Sequence, residues 1–339
     1  MKYPILKTKL RKESSRQFSG DILNIQRIPI LKNNHYYVVD RFLDGEAPKQ
    51  FIKAYFFQEG KNLVSNLNLW DGYFAKFGGK SYPLESVLEF TMNRIGDYLG
   101  LKMNETRLVV VNGQVRFLSK NFLRKGKKLI HGIELLAEYI EDKELVDEVN
   151  KDRKTRRQYM TFEIFEDAIN KVCRPNCDEI IDSLIQLVCF DAIVGNNDRH
   201  FYNWGLIGDT LKTKNSPPTF APIYDTARGL LWNITEPKIR ELYKQVISGS
   251  KYLEDHVSKT KPRLSYFGND EANHFELLAF LSKRKTTYRL TIQRLISIEN
   301  EKLVLNNLEQ ELGFYFTDER KYLMYEILKL RFKKLREVC

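Results

Sequence analysis

The sequence predicts an α+β protein in two lobes, a mixed N-terminal lobe over residues 1–122 and a mainly helical C-terminal lobe over residues 123–339. Three observations predict it. Short runs rich in aromatic and β-branched residues crowd the first part of the chain, as strands of a small sheet require. A single run with helical spacing lies among them. From about residue 128 the apolar period is helical, broken by one irregular island between Gly195 and Leu230.

In chain order, His35–Asp40 and Gln50–Phe57 read as strands, and Asp71-Gly72 reads as a turn feeding a short strand, Tyr73–Phe77, that ends at Gly78-Gly79. After Ser81-Tyr82-Pro83, apolar residues Leu84, Val87, Leu88, Met92, Ile95 and Leu99 recur at three and four, and Gly100 stops the helix. Arg107–Val111 and Gln114–Leu118 flank Asn112-Gly113, a dipeptide suited to the two positive φ angles of a tight hairpin. Helices are expected over Gly132–Glu141, Thr161–Val172 and Cys177–Val194, with several more between about 272 and 337. No repeat or low-complexity tract interrupts this order.

Composition narrows the class. At 42% apolar and 29% charged, 339 residues can bury a sizeable core. No run approaches the roughly 18 apolar residues of a membrane span, and the basic N-terminus lacks a secretory apolar stretch. A cytoplasmic protein without membrane association is expected. Among the four cysteines only Cys173 and Cys177 are close, with no second pair or nearby histidine, so reduced thiols are expected rather than structural zinc. The formal charge of +11 is spread over Lys2–Arg16, Lys120–Lys128, Lys151–Arg157 and the last helix. Such charge suits an acidic protein, a polyphosphate or a nucleic acid, but without a recognisable nucleic-acid motif direct binding of DNA or RNA is not expected.

The chemistry-bearing residues sit in the island. Gly195-Asn-Asn-Asp-Arg-His200 follows a helix, and Asp198 and Asn203 stand five apart. Asp-x-x-x-x-Asn is the spacing in which a carboxylate takes the proton of an acceptor hydroxyl and an amide oxygen binds a metal ion. A second acid, Asp225, ends the apolar run Ala221-Pro-Ile-Tyr, the position of a Mg²⁺-binding carboxylate at a strand end. Lys76 in its strand would contact the α- and β-phosphates of ATP, and Glu89 on the next helix would hold Lys76 extended. Taken singly, Lys76 reads as a solvent-facing lysine, Glu89 as a surface helix residue, Asp225 as a turn residue, Asp191 as a helix-face or capping acid, and Arg199 and His200 as braces of the loop. The order of lysine strand, glutamate helix, hairpin, helices, Asp-x-x-x-x-Asn and apolar strand with aspartate favours the functional reading of the set.

Gly195-Asn-Asn-Asp-Arg-His with Asn203-Trp-Gly205, followed by Ala221-Pro-Ile-Tyr-Asp225, resembles the paired active-site motifs of HipA-like serine/threonine kinases. The run Glu89 to Gly100-Leu-Lys-Met-Asn-Glu-Thr106 resembles the N-lobe helix of the short, CtkA-like members, and the likeness covers roughly Tyr73 to Gly229. The resemblance implies a protein-kinase-like fold and an ATP- and Mg²⁺-dependent kinase acting on a protein substrate. Asp198 would be the catalytic aspartate, Asn203 and Asp225 the metal ligands and Lys76 the ATP lysine. Phe117–Phe122, with Phe117 and Ser119, would be the hinge that meets the adenine. It also implies a toxin or effector role and an antitoxin-like partner, since the chain is short for a member carrying the extra N-terminal subdomain. One departure stands out: Asn62–Gly72 holds no glycine-rich phosphate-covering loop, leaving Ser19-Gly20 or Ser65 as its candidates. Related folds accept lipids or small molecules, and a nucleotide-binding pseudokinase module is the other alternative.

Overall fold

Alternation of apolar and polar residues sorts each short strand into two faces, and this builds the N-terminal half. The computed structural model of the protein describes residues 9–12, 22–40, 49–56, 66–78, 84–210 and 216–339. Strands β1 (Tyr36–Val39), β2 (Lys49–Ala54), β3 (Asp71–Lys76), β4 (Thr106–Val111) and β5 (Gln114–Lys120) form one antiparallel sheet in the order β1-β2-β3-β5-β4. Tyr73 and Ala75 of β3 join Ile52, Val109, Val111 and Leu118 in a core on one face. By the two-residue period, Phe74 and Lys76 point to the other.

On that second face lies α1 (Glu85–Tyr98), whose Val87, Leu88, Met92 and Ile95 share a core with Leu108 and Val115. The β4–β5 hairpin turns at Asn112 and Gly113 with φ of 52° and 74°, as Asn-Gly predicts. The same core runs without a break into the C-terminal helices. Arg94 and Tyr98 of α1 reach Glu311 at 3.0 and 2.6 Å, fastening the small lobe to the large one.

The C-terminal half begins with a strand that the sequence did not show, β6 (Lys127–His131), ahead of the expected helix α2 (Gly132–Ile140). Two polar helices follow, α3 (Lys143–Lys151) and α4 (Arg153–Tyr159), then α5 (Phe162–Val172) and α6 (Cys177–Val194). The island contains β7 (Gly205–Asp209) and β8 (Thr219–Phe220), which complete a second antiparallel sheet, β6-β7-β8. Next come α7 (Glu236–Ile247), α8 (Tyr252–Lys259), α9 (His274–Arg284), α10 (Thr286–Leu295), α11 (Ile298–Glu311) and α12 (Asp318–Val338). Helix α6 is apolar on most of its surface and is surrounded by α5, α9, α10 and α12.

The α+β, two-lobed expectation therefore holds. Four points differ: Asp71-Gly72 begins β3 rather than preceding it, the helical region opens with a strand, the irregular island carries two strands, and Ala221–Asp225 is not a strand, since β8 ends at Phe220 and only Ile223 makes an isolated bridge. Ser19, Gly20, Ser65, Phe57, Gly79 and the helix lead-in Ser81-Tyr82-Pro83 lie outside the described residues. Among the described residues no helix is long and apolar enough to cross a membrane.

Candidate active site

The site begins where α6 stops. Gly195 adopts φ 71°, a left-handed conformation that ends a helix at little cost only for glycine, and its N–H donates to the Asp191 carbonyl. A Cβ there would lie 3.2 Å from the Arg331 guanidinium. The chain then folds back on itself. The Asp198 carbonyl accepts from the His200 N–H and from Asn203 Nδ2, both at 2.8 Å.

Arg199 organises the loop from beneath. It is buried and donates two 2.9 Å hydrogen bonds to Asp191, a fork-on-carboxylate pair that offsets the desolvation of both charges. Its remaining nitrogen donates to the carbonyls of Asn203 at 2.7 Å and Tyr224 at 2.6 Å. One guanidinium thus binds α6, the Asp198–Asn203 loop and the residue before Asp225. The reading of Arg199 as a brace is what the geometry gives, with Asp191 as its partner.

Asp225 is placed by two further contacts. Ile223 bridges to Met103, its N–H donating to Lys102 O at 2.8 Å and its carbonyl accepting from Asn104 N at 2.9 Å. Behind it, Gly229 packs so tightly against the end of α6 that a Cβ would approach the Val194 carbonyl oxygen to 2.5 Å. Between these anchors Asp225 takes φ 55°, a conformation unusual for a residue with a side chain, though aspartate tolerates it better than most.

Lys76 meets Asp225 across the cleft. Its Nζ lies 2.9 Å from Asp225 Oδ1 and 2.7 Å from Glu89 Oε1. Glu89 is buried, whereas the Asp225 side chain is 43% exposed at the cleft rim. The two carboxyls therefore titrate apart. Burial pushes Glu89 up to about 7, with Lys76 only partly opposing it. At Asp225 crowding by protein atoms also pushes upward, but Lys76, Arg199 and Lys49 outweigh it and hold the carboxyl at about 2. Lys76 is raised despite desolvation, because two carboxylates flank it.

The expected residues come together in part. Lys76 contacts both Glu89 and Asp225, and Asn203 is bonded to Asp198. Asp198 does not touch the lysine; its Oδ1 and Oδ2 face Arg263 and Arg228, each at 3.3 Å. Phe117 is buried beside Lys76, with the ammonium 5.6 Å from its ring centre. Phe117 and Ser119 both lie inside β5, flanked by β3 and β4, so their main-chain groups face neighbouring strands. The Ser119 hydroxyl accepts from Asn104 Nδ2 at 2.8 Å.

Sequence reasoning missed Lys49, the cross-strand partner of Lys76, and the two arginines on Asp198. Arg228 lies in the Thr226-Ala-Arg-Gly229 run, three residues after the second acid, and that nearness to Asp225 was the available signal. Arg263 lies in a loop far along the chain, where none exists.

The donor set suits a hard divalent cation. Asn203 commits its amide nitrogen to Asp198, which leaves the amide oxygen as its acceptor atom, and Asp225 supplies an ionised carboxylate. Among the described residues no group of three or more acids, histidines or cysteines forms a cage. One carboxylate and one amide match Mg²⁺, which keeps waters and takes phosphate oxygens for its other positions.

A five-stranded antiparallel lobe with one helix, set on a helical lobe with a lysine, a glutamate and an aspartate meeting between them, defines a kinase-like fold. Within that class the chain belongs to the HipA-like family: the sequence profile of the HipA-like C-terminal domain matches residues 43–277. The crystal structure of the Helicobacter pylori proinflammatory kinase CtkA shares 17% identity, with a TM-score of 0.62 over 86% of this chain and 94% of that one. The Shewanella oneidensis MR-1 HipA, solved with HipB and its operator DNA, shares 14% identity at a TM-score of 0.47, covering 78% of this chain and 58% of that one. No curated protein matches the sequence.

Proposed function

We propose that the chain transfers the γ-phosphoryl group of ATP to a serine or threonine hydroxyl of a protein, in a Mg²⁺-dependent reaction. The observation that carries this is Lys76 bridging Glu89 and Asp225 at 2.7 and 2.9 Å, three residues from separate parts of the chain gathered in one cleft. The HipA-like family and the fold shared with a kinase support it. Residues 1–122 then form the nucleotide-binding lobe and residues 123–339 the catalytic lobe, in a cytoplasmic enzyme.

Lys76 contacts the α- and β-phosphates, exchanging Asp225 for phosphate oxygens, while Glu89 keeps its side chain extended. The Phe117 and Ser119 side chains lie on the strand leading to the adenine end. Asp225 and Asn203 offer oxygen ligands to Mg²⁺, which when bound neutralises charge on the phosphates undergoing transfer. Asp198 orients the acceptor hydroxyl and takes its proton as the new P–O bond forms and the bond to ADP breaks. Arg199 does not touch substrate; it positions Asp198, Asn203 and Asp225 relative to one another.

Incubation with ATP, Mg²⁺ and a cell lysate, followed by mass spectrometry for new phosphoserine and phosphothreonine, tests the reading. Phosphorylated protein is expected. ATP bound with no phosphoprotein formed would move the assignment to a lipid or small-molecule acceptor or to a nucleotide-binding regulatory module.

A further inference from the structure

Next to Asp198 a cavity of about 690 Å³ opens on the helical lobe. Five cations line it: Arg157, Arg228, Lys259, Lys261 and Arg263. Three carboxylates answer them. Glu271 pairs with Arg157 and Lys261, Asp255 lies 4.0 Å from Lys259, and Asp198 takes Arg228 and Arg263. His256, also in the wall, is pushed toward its neutral form by burial. The cavity thus carries surplus positive charge within protein walls, an arrangement that focuses potential on an anionic ligand.

Two details tie the cavity to the reaction. Arg228 and Arg263 line the cavity and also contact Asp198, so the acid that would receive the hydroxyl proton adjoins the cavity wall. Their 3.3 Å contacts are long for charge-assisted hydrogen bonds, which run near 2.7–2.9 Å. Such contacts exchange readily for a better-placed anion. Arg228 is also held 5.1 Å over the Trp232 ring, which fixes where its charge is presented.

We propose that this cavity is the acceptor subsite for an anionic residue, a carboxylate or a phosphate monoester, flanking the serine or threonine that is phosphorylated. This rests on the kinase reading above. The anionic group binds Lys259, Lys261 and the two arginines, draws Arg228 and Arg263 away from Asp198, and leaves the Asp198 oxygens to the incoming hydroxyl. A protein segment fits better than a duplex nucleic acid. The charge is gathered in a concavity of ordinary ligand size rather than laid out as a stripe along a backbone.

The test measures binding without ATP. Fluorescence anisotropy is recorded with a labelled peptide carrying one serine flanked by glutamates, with its glutamine counterpart, with one flanked by phosphoserine, and with a short labelled DNA duplex. The Lys259→Glu/Lys261→Glu variant is measured beside the parent; both side chains are well exposed, at 80% and 43%, so the fold tolerates the change. The expected result is that the acidic peptides bind about ten-fold tighter than the glutamine peptide or more, and that the variant loses most of that preference. Equal affinity for acidic and neutral peptides, a preference that survives the charge reversal, or tighter binding of the DNA than of any peptide would each overturn the proposal. Phosphoryl transfer is assayed separately on the parent. Transfer without peptide preference refutes this inference alone, whereas preference without transfer leaves the cavity an anion-binding site, removes its role as an acceptor subsite and rejects the kinase reading.

Discussion

Lys76 and Asp225, 149 residues apart in the chain, form a 2.9 Å ion pair that spans the cleft between the sheet and the helical lobe. Glu89 shares the same ammonium at 2.7 Å. Replacing Lys76 with alanine removes a cation that both carboxyls share. The expected outcome is a rise in the KM for ATP and a fall in kcat/KM of about ten-fold or more, equivalent to about 1.4 kcal/mol of lost transition-state binding. Steady-state kinetics over a range of ATP concentrations checks it, and unchanged constants remove Lys76 from the site.

Glu89 sets a pH dependence. Its carboxyl is pushed up to about 7, so it is ionised above that pH and neutral below it. Only the ionised form attracts Lys76 by charge. The KM for ATP should therefore rise as pH falls through about 7, by at most about ten-fold per pH unit because one proton is involved. The stability linkage has the opposite sense. A carboxyl with a raised folded-state pKa contributes stability that is present below its unfolded value and lost as pH rises through about 7. Glu89→Gln should flatten the acid limb of the KM profile; a limb of the same shape in the variant would assign it to another group.

Arg199 carries the loop. Arg199→Ala leaves the buried Asp191 without its cation, with only Asn196 Nδ2 still donating to it, and frees the carbonyls of Asn203 and Tyr224. Breaking a buried pair by removing one member costs about 3–5 kcal/mol. Thermal unfolding should show a large drop in Tm together with lost activity. A variant with the parent's Tm would mean that the brace contributes little.

Some of this was legible in the sequence and some was not, for physical reasons. Helix α6 shows as a long apolar run closed by Gly195, and the β4–β5 hairpin shows through Asn112-Gly113, because both signals are local. Strand β8 has two residues and β6 is lysine-rich, too short and too polar to show a period. The charged helices α3 and α4 hide for the same reason. Glu89 taken alone reads as a surface residue, yet it is 3% exposed; its burial is set by a sheet that packs over the helix, which no spacing reveals. Lys49 opposite Lys76, and Arg263 on Asp198, depend on strand register and on the return of a distant loop.

Asp225 offers a test of metal dependence. Asp225→Ala removes the ionised carboxylate while leaving the Lys76–Glu89 pair, so ATP binding should lose its enhancement by Mg²⁺. Calorimetric titration with ATP in Mg²⁺ and in chelator measures the difference. If the variant keeps the parent's Mg²⁺ enhancement, the ligand lies elsewhere.

The most direct test of the central claim is transfer from γ-labelled ATP with Mg²⁺ by the parent and by Asp198→Asn, side by side. The asparagine keeps the shape of the side chain but cannot take the hydroxyl proton. The account predicts label on protein with the parent and a loss of about 100- to 10,000-fold in the variant, the usual contribution of a positioned base, with ATP still bound. Label transferred at equal rates by both proteins would contradict it.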